Sequence, residues 1–135
     1  YLDQYFQTIK KCLNKGGTAA IQGITIRDSL FDRYRMNEDF IQKYIFPGGF
    51  LPSLNFINTL TKKNKLQLEK INSYSDHYAK TLSIWKQNFY KSWESILPLG
   101  FDDSFKKIWG FYLSYCEAGF KSKNIDLIQF SMSNK

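Results

Sequence analysis

Apolar residues recur at helical spacing from the start of the chain. Leu2, Tyr5, Phe6, Ile9 and Leu13 fall on one face of a helix predicted over residues 1–14. Lys10, Lys11 and Lys15 suit the negative end of its dipole, and Gly16-Gly17 stops it. Residues 18–26 (TAAIQGITI) are β-branched and apolar on both faces, which predicts a central, buried strand. Residues 28–44 are charged and aromatic and read as one helix, with Leu30, Phe31, Tyr34 and Phe40 free to turn inward. A helix over residues 53–61 opens on Ser53 as its N-cap, and residues 66–74 alternate as a strand with one exposed face. In residues 77–97, Leu82, Trp85, Phe89, Trp93 and Ile96 recur at helical spacing until Pro98 and Gly100 end the run. Asp102 then caps a second long helix reaching Lys121, striped by Phe105, Ile108, Trp109, Tyr112, Tyr115 and Cys116. Residues 125–131 close the chain as a last strand. With no repeat, low-complexity tract or linker, residues 1–135 read as a single α/β domain: three strands with an inserted pair of long helices.

One stretch breaks the periodicity, residues 42–53 (QKYIFPGGFLPS). Pro47 and Pro52 fix φ and remove donors, while Gly48 and Gly49 reach backbone angles closed to other residues. The segment is expected to be neither helix nor strand and to hold Tyr44, Ile45, Phe46, Phe50 and Leu51 in a stiff shape. Connecting loops are normally polar and solvated. An apolar one caps a core or lines a greasy pocket, and an ordinary buried turn is the simpler of those readings.

Composition sharpens this. Aromatic residues make up 18% of the chain (12 Phe, 9 Tyr, 3 Trp), so core or pocket walls should be ring-rich. A net charge of +7 points to a polyanionic partner, nucleic acid or an anionic membrane surface, although the lysines are scattered and no basic arm is present. No apolar run is long enough for a membrane-spanning helix, and no signal-peptide pattern is visible. Cys12 and Cys116, far apart and joined by a lone histidine, His77, do not make a usual zinc site and are expected as buried free thiols in a reducing compartment. The abrupt helical start without methionine suggests a piece of a longer protein.

Familiar catalytic patterns are missing. There is no GxSxG elbow and no GxGxxG turn, and Asp76 beside His77 at a helix start points the two side chains apart. The acids are spread over solvated helix faces, unlike a glycosidase pair. Aromatics at core spacing favour packing over base stacking, so nucleic acid is not expected as a partner.

Three motifs in order carry a resemblance: KYIFPGGFLPS, DHYAKTLSIWKQNF and GFDDSFKKIWGFYLSYCEAGFKSKNIDLIQ. Over essentially all 135 residues the chain resembles the C-terminal half of bacterial cyclopropane-fatty-acyl-phospholipid synthases, relatives of the mycolic acid cyclopropane synthases. The resemblance implies the Rossmann-like fold of class I S-adenosylmethionine-dependent methyltransferases. It implies transfer of a methylene to the cis double bond of an unsaturated phospholipid acyl chain. A methyl-branched or hydroxylated product is the same-family alternative, and a non-catalytic remnant or interaction module the alternative of another class. It further implies a bicarbonate base, with Tyr78 and Gln22 holding the ion by side chain and Ile24 by backbone. Tyr44, Phe46, Pro47, Gly48, Gly49 and Phe50 match the acyl-chain side of the cavity. The Gly-rich cofactor loop lies upstream of Tyr1 in the family, so residues 1–135 alone are expected to be inactive and to lack most of the S-adenosylmethionine contacts. The implied setting is cytoplasmic, peripheral at an anionic phospholipid membrane. A sheet edge left open is expected to invite self-association into a homo-oligomer.

Overall fold

The computed structural model describes residues 1–135. In chain order it contains α1 (Leu2–Cys12), β1 (Thr18–Ile26), α2 (Asp28–Met36), α3 (Phe40–Tyr44), α4 (Leu54–Lys63), β2 (Gln67–Ser73), α5 (Ser75–Lys91), α6 (Trp93–Ile96), a 3₁₀ turn (Leu97–Leu99), α7 (Asp103–Lys121) and β3 (Ile125–Ser133).

The sheet is antiparallel with the order β1-β3-β2, so the last strand is the middle one. Ile21 stands opposite Phe130, and Leu68 opposite Met132, with an irregularity between Leu68 and Ile71 that shifts the β2 register. Period-two alternation sends Ile128, Phe130 and Met132 to one face, where they join Phe6, Ile57, Leu60 and Leu66 in a core under α1 and α4. On the other face, Ile125 and Leu127 meet Ala79, Leu82, Leu113 and Phe120 of α5 and α7. The result is three layers, helices on both faces of a sheet, with the long helices inserted between β2 and β3 as expected.

Several boundaries follow from caps. Ser53 accepts from the Phe56 N–H at 3.2 Å, and Asp102 from the Phe105 N–H at 2.9 Å, as both N-caps should. Gly16 sits at φ +77° in the turn after α1. The segment expected as one helix over residues 28–44 is two. Asn37 is extended (φ −132°, ψ 139°), and Asp39 starts α3 with a capping box to Gln42. The run expected as one helix over residues 77–97 begins at Ser75, ends at Lys91 and continues as α6 and the 3₁₀ turn.

Two expectations are corrected. Residues 18–26 lie at the edge of this sheet, not its centre, with Thr18, Ala20 and Gln22 exposed. They are apolar on both faces because Ala19 and Ile21 pack on the α1/α4 core while Ile24 and Ile26 line a cavity. Nor are both thiols buried: Cys12 is exposed and Cys116 half-buried.

The α5/α7 pair is fastened at two levels. At its base, the Ser75 hydroxyl donates to the Phe120 carbonyl at 2.7 Å in a buried site. Higher up, Glu117, nearly buried, accepts from Lys121 at 2.5 Å and from Lys86 across the helix pair at 2.7 Å. Those two ammonium hydrogen bonds, led by Lys121, hold its carboxyl below the ordinary value of 4.5. A carboxyl whose pKa falls on folding stabilises the native state fully above its unfolded value and loses that contribution as pH drops through the lower folded value. Stability should therefore decline on acidification below about 4.5, and Glu117→Gln should shallow that decline. Urea titrations at several pH values would read it, and parallel acid limbs for the two proteins would contradict it.

Candidate active site: an aromatic cavity

Between the α5/α7 pair and the β1–α4 connection lies a cavity of about 990 Å³. Ile24 and Ile26 of β1 form its floor, Leu30 and Tyr34 of α2 one wall, and Tyr78, Leu82, Tyr112, Tyr115, Cys116 and Phe120 the opposite wall. Phe46, Gly49, Phe50 and Leu51 complete it from the proline-bracketed loop. Arg33, Asn37, Glu38, Asp39, Ser122 and Asn124 supply its polar lining.

The loop holds its shape through backbone bonds. Gly48 adopts φ +78°, which favours glycine, and the Gly49 N–H donates to the Phe46 carbonyl at 2.8 Å. Gln42 Nε2 donates to the Gly49 carbonyl at 3.0 Å, and the Leu51 N–H to the Tyr34 hydroxyl at 3.1 Å. The Ile26 N–H reaches the Pro52 carbonyl at 3.0 Å, tying the loop to the open edge of β1. Since Ile26 donates outward, strand alternation turns the backbone N–H of Ile24 to the same open edge.

The sequence-derived site residues separate into two groups. Tyr78, Ile24, Phe46, Gly49 and Phe50 come together around the cavity. Tyr78 is edge-on to Phe120 with ring centroids 4.9 Å apart, and Phe46 edge-on to Tyr112 at 6.0 Å. Tyr44, Pro47 and Gly48 are exposed and do not line it. Gln22 lies further along β1, in a shallow cleft of about 340 Å³ with Lys70, Asn72 and Gln129, its Oε1 accepting from Gln129 Nε2 at 2.8 Å. Sequence reasoning assigned Tyr112, Tyr115 and Cys116 to a packed stripe, expected Tyr34 only as an inward-facing helix residue, and passed over Arg33 and Asp39. The capping box from Asp39 to Gln42 was the available signal, because it breaks the helix and turns α3 back over the cavity.

Burial sets the protonation states. It pushes the Tyr112 hydroxyl up to about 12, with Cys116 and Tyr78 adding to the effect, and the Cys116 thiol to about 11, with Asp39 adding. Tyr34 and Tyr115 are raised for the same first reason. These groups stay neutral at ordinary pH: they can donate hydrogen bonds but are poor bases. The acids Glu38 and Asp39 are the titratable carboxylates in the lining. No helix of the chain is long and apolar enough to cross a membrane.

Comparison with solved proteins gives first the class. The chain superposes on the cyclopropane synthase MmaA2 from Mycobacterium tuberculosis with a TM-score of 0.85 at 22% identity, covering 97% of this chain and 49% of that one. It superposes equally well, at 25% identity and with the same coverage, on the mycolic acid cyclopropane synthase CmaA1 solved in complex with SAH and CTAB. The α/β architecture is that of the C-terminal half of a class I methyltransferase fold. The family follows from sequence: the mycolic acid cyclopropane synthetase family model matches residues 1–130, and the chain belongs to that family. Tuberculostearic acid methyltransferase UfaA1 of M. tuberculosis is 38% identical over 130 residues, which is 96% of this chain and 30% of the relative. The cyclopropane-fatty-acyl-phospholipid synthase of Escherichia coli is 30% identical over 132 residues, 97% of this chain and 33% of the relative. The chain thus spans about a third of the length of these curated relatives.

Cys116 gives a direct probe of the cavity. At neutral pH, iodoacetamide should modify the exposed Cys12 well before Cys116, whose reaction should accelerate as pH climbs towards about 11. An alkyl amphiphile that enters the cavity should slow Cys116 further and leave Cys12 unchanged. Peptide-resolved mass spectrometry would follow both thiols, and equal rates at neutral pH would contradict the burial argument.

Proposed function

We propose that this chain forms the acyl-binding side of an enzyme that transfers a methylene from S-adenosylmethionine to the cis double bond of an unsaturated phospholipid acyl chain, closing a cyclopropane ring. The observation that carries the reading is the cavity itself. Its volume, about 990 Å³, lies near the top of the range for small-molecule sites, roughly 300–1,000 Å³. Its walls are mostly aliphatic and aromatic, suited to a chain of methylenes.

S-adenosylmethionine supplies an electrophilic methyl group, and attack by the double bond leaves positive charge on the acyl chain. The residues of this chain protect that charge. Ile24, Ile26, Leu82 and Leu51 exclude water that would quench it. The rings of Phe46, Tyr78 and Tyr112 present faces or edges to the space, and a cation over a ring face gains about 0.5–2 kcal/mol. Ring closure also needs a proton acceptor, which the neutral phenols do not provide. The Tyr78 hydroxyl and the outward Ile24 N–H are donors suited to an anion such as bicarbonate, which would supply that base.

A methyl-branched product is the second reading. It is supported by the 38% identity to a relative named for tuberculostearic acid methylation. In both readings the enzyme works as a peripheral protein at the cytoplasmic face of an anionic phospholipid membrane, a setting supported by the net charge of +7.

The test is incubation of the full-length protein with S-adenosylmethionine and dioleoyl phospholipid vesicles, followed by mass and proton analysis of the acyl chains. Gain of one CH₂ with strongly shielded ring protons is expected. The same gain with exomethylene protons, or with a methyl on a retained double bond, would establish the second reading, whose saturated branch needs a separate reductant, and unmodified chains would overturn both. In the full-length enzyme, Tyr78→Phe should lower turnover by roughly ten- to a hundredfold, the loss of one hydrogen bond to a charged group, without changing the thermal midpoint. Unaltered turnover would remove Tyr78 from the chemistry.

A further inference from the structure

The α5/α7 pair is anchored to the sheet at one end, where Ser75 meets Phe120 and Ile125. At its other end the chain turns through α6, which packs on α5, and through the 3₁₀ turn, which packs on α6. Loop tips are normally polar. This one leaves Leu97, Leu99 and Phe101 exposed by 46%, 73% and 42%, while Trp93 beneath them is 4% exposed. Pro98 and Gly100, at φ +95°, shape the turn between them.

This apolar tip is joined to the cavity by rings. Phe101 and Phe105 have centroids 4.4 Å apart, Phe105 and Trp109 stack at 5.7 Å, and Trp109 lies 4.9 Å from Tyr112, which lines the cavity. On α5, Trp85 is 47% exposed and stands 6.0 Å from the cavity residue Tyr78.

We propose that this end of the α5/α7 hairpin is the part of the protein that enters a phospholipid bilayer, and that the ladder Phe101–Phe105–Trp109–Tyr112 is the surface along which an acyl chain passes to the cavity. The proposal rests on the acyl-chain reading above and names the surface through which it operates. The continuity of the ladder selects the occupant. An acyl chain leaving a bilayer needs an unbroken apolar path to the reacting site, whereas a second copy of this chain seated on the tip would close the outer end of that path. The polar surroundings suit an interface of headgroups. Tyr90, half-exposed, and the exposed Lys91 and Lys107 flank the tip, and Lys106 lies over the Trp93 ring at 4.9 Å. Glu94, Asp102 and Asp103 counter those lysines, and Asp102 is taken up as the α7 cap. Local charge is therefore nearly balanced, and insertion of apolar side chains supplies the hold. Binding should persist at moderate salt.

The three tryptophans of residues 1–135, Trp85, Trp93 and Trp109, lie in this hairpin, so the part of the quenching that Trp85→Phe and Trp109→Phe remove reads the event at this end of the protein. The full-length protein would be mixed with vesicles of dioleoylphosphatidylglycerol and dioleoylphosphatidylcholine, with and without bromine on the acyl chains. Brominated lipid should quench the tryptophans. The Leu97→Asp, Leu99→Asp double variant should partition onto vesicles roughly tenfold or more weakly, while turning over a short-chain unsaturated phospholipid dispersed as monomers at the wild-type rate. Unquenched wild-type tryptophans overturn the proposal even if the variant does not fold. So does vesicle binding equal to wild type in a folded variant, and so does loss of self-association alone, which would assign the tip to a second copy. Quenching and variant-sensitive binding by a protein that modifies no lipid would instead overturn the acyl-transfer reading and leave the docking surface standing.

Discussion

The architecture depends on the burial of β3 on both faces at once. Ile128, Phe130 and Met132 look towards α1 and α4, Leu127 and Ile125 towards α5 and α7, and β1 and β2 are held in register only by pairing with it. Met132 and Phe120, at 0% and 1% exposure, mark the two cores that meet across this strand. Each fully buried side chain of that size contributes about 1.5–3 kcal/mol. The sheet is the platform on which every other element takes its position.

The cavity is a consequence of incomplete cover. The α5/α7 pair packs on the Ile24, Ile125 and Leu127 end of its sheet face, leaving the Gln22 and Gln129 end open as the shallow cleft. The β1–α4 connection folds back opposite α7 without filling the gap. Phe31 meets Phe50 edge-on and Phe56 at a tilt, at centroid distances of 5.8 and 5.2 Å, which anchors the connection on α4. Phe40 touches Phe111 at 4.7 Å, which anchors it on α7. Aromatic contacts on both sides therefore prop the connection open over an apolar hollow rather than collapse it into the core. The same packing explains the raised phenol and thiol values. Groups with polar tips are held among rings, where the charged form is costly.

Much of this was legible in the sequence. Helical spacing placed α1, α5 and α7, the Ser53 and Asp102 caps set the starts of α4 and α7, and Pro47-Gly48-Gly49 marked an irregular apolar loop that does border the cavity through Phe46, Gly49 and Phe50. The misplaced strand shows the limit of periodicity. Residues 18–26 are apolar on both faces whether the second face meets a helix layer or a hollow, and only the tertiary arrangement distinguishes them. Tyr112, Tyr115 and Cys116 illustrate the same limit on α7, where one wide aromatic face serves the core at Leu113 and the cavity a third of a turn away. Gln22 and Ile24, two residues apart on one strand face, part company because the α5/α7 pair covers only one of them.

The central claim is that the ring-lined hollow receives an acyl chain. The most direct measurement is photocrosslinking of the full-length protein with an unsaturated phospholipid carrying a diazirine beside its double bond, mapped by mass spectrometry of the peptides. Adducts on Phe46, Tyr78, Tyr112, Tyr115 or Cys116, suppressed by excess unlabelled phospholipid, are the predicted result. Adducts confined to other surfaces, or none that the unlabelled lipid suppresses, would contradict it.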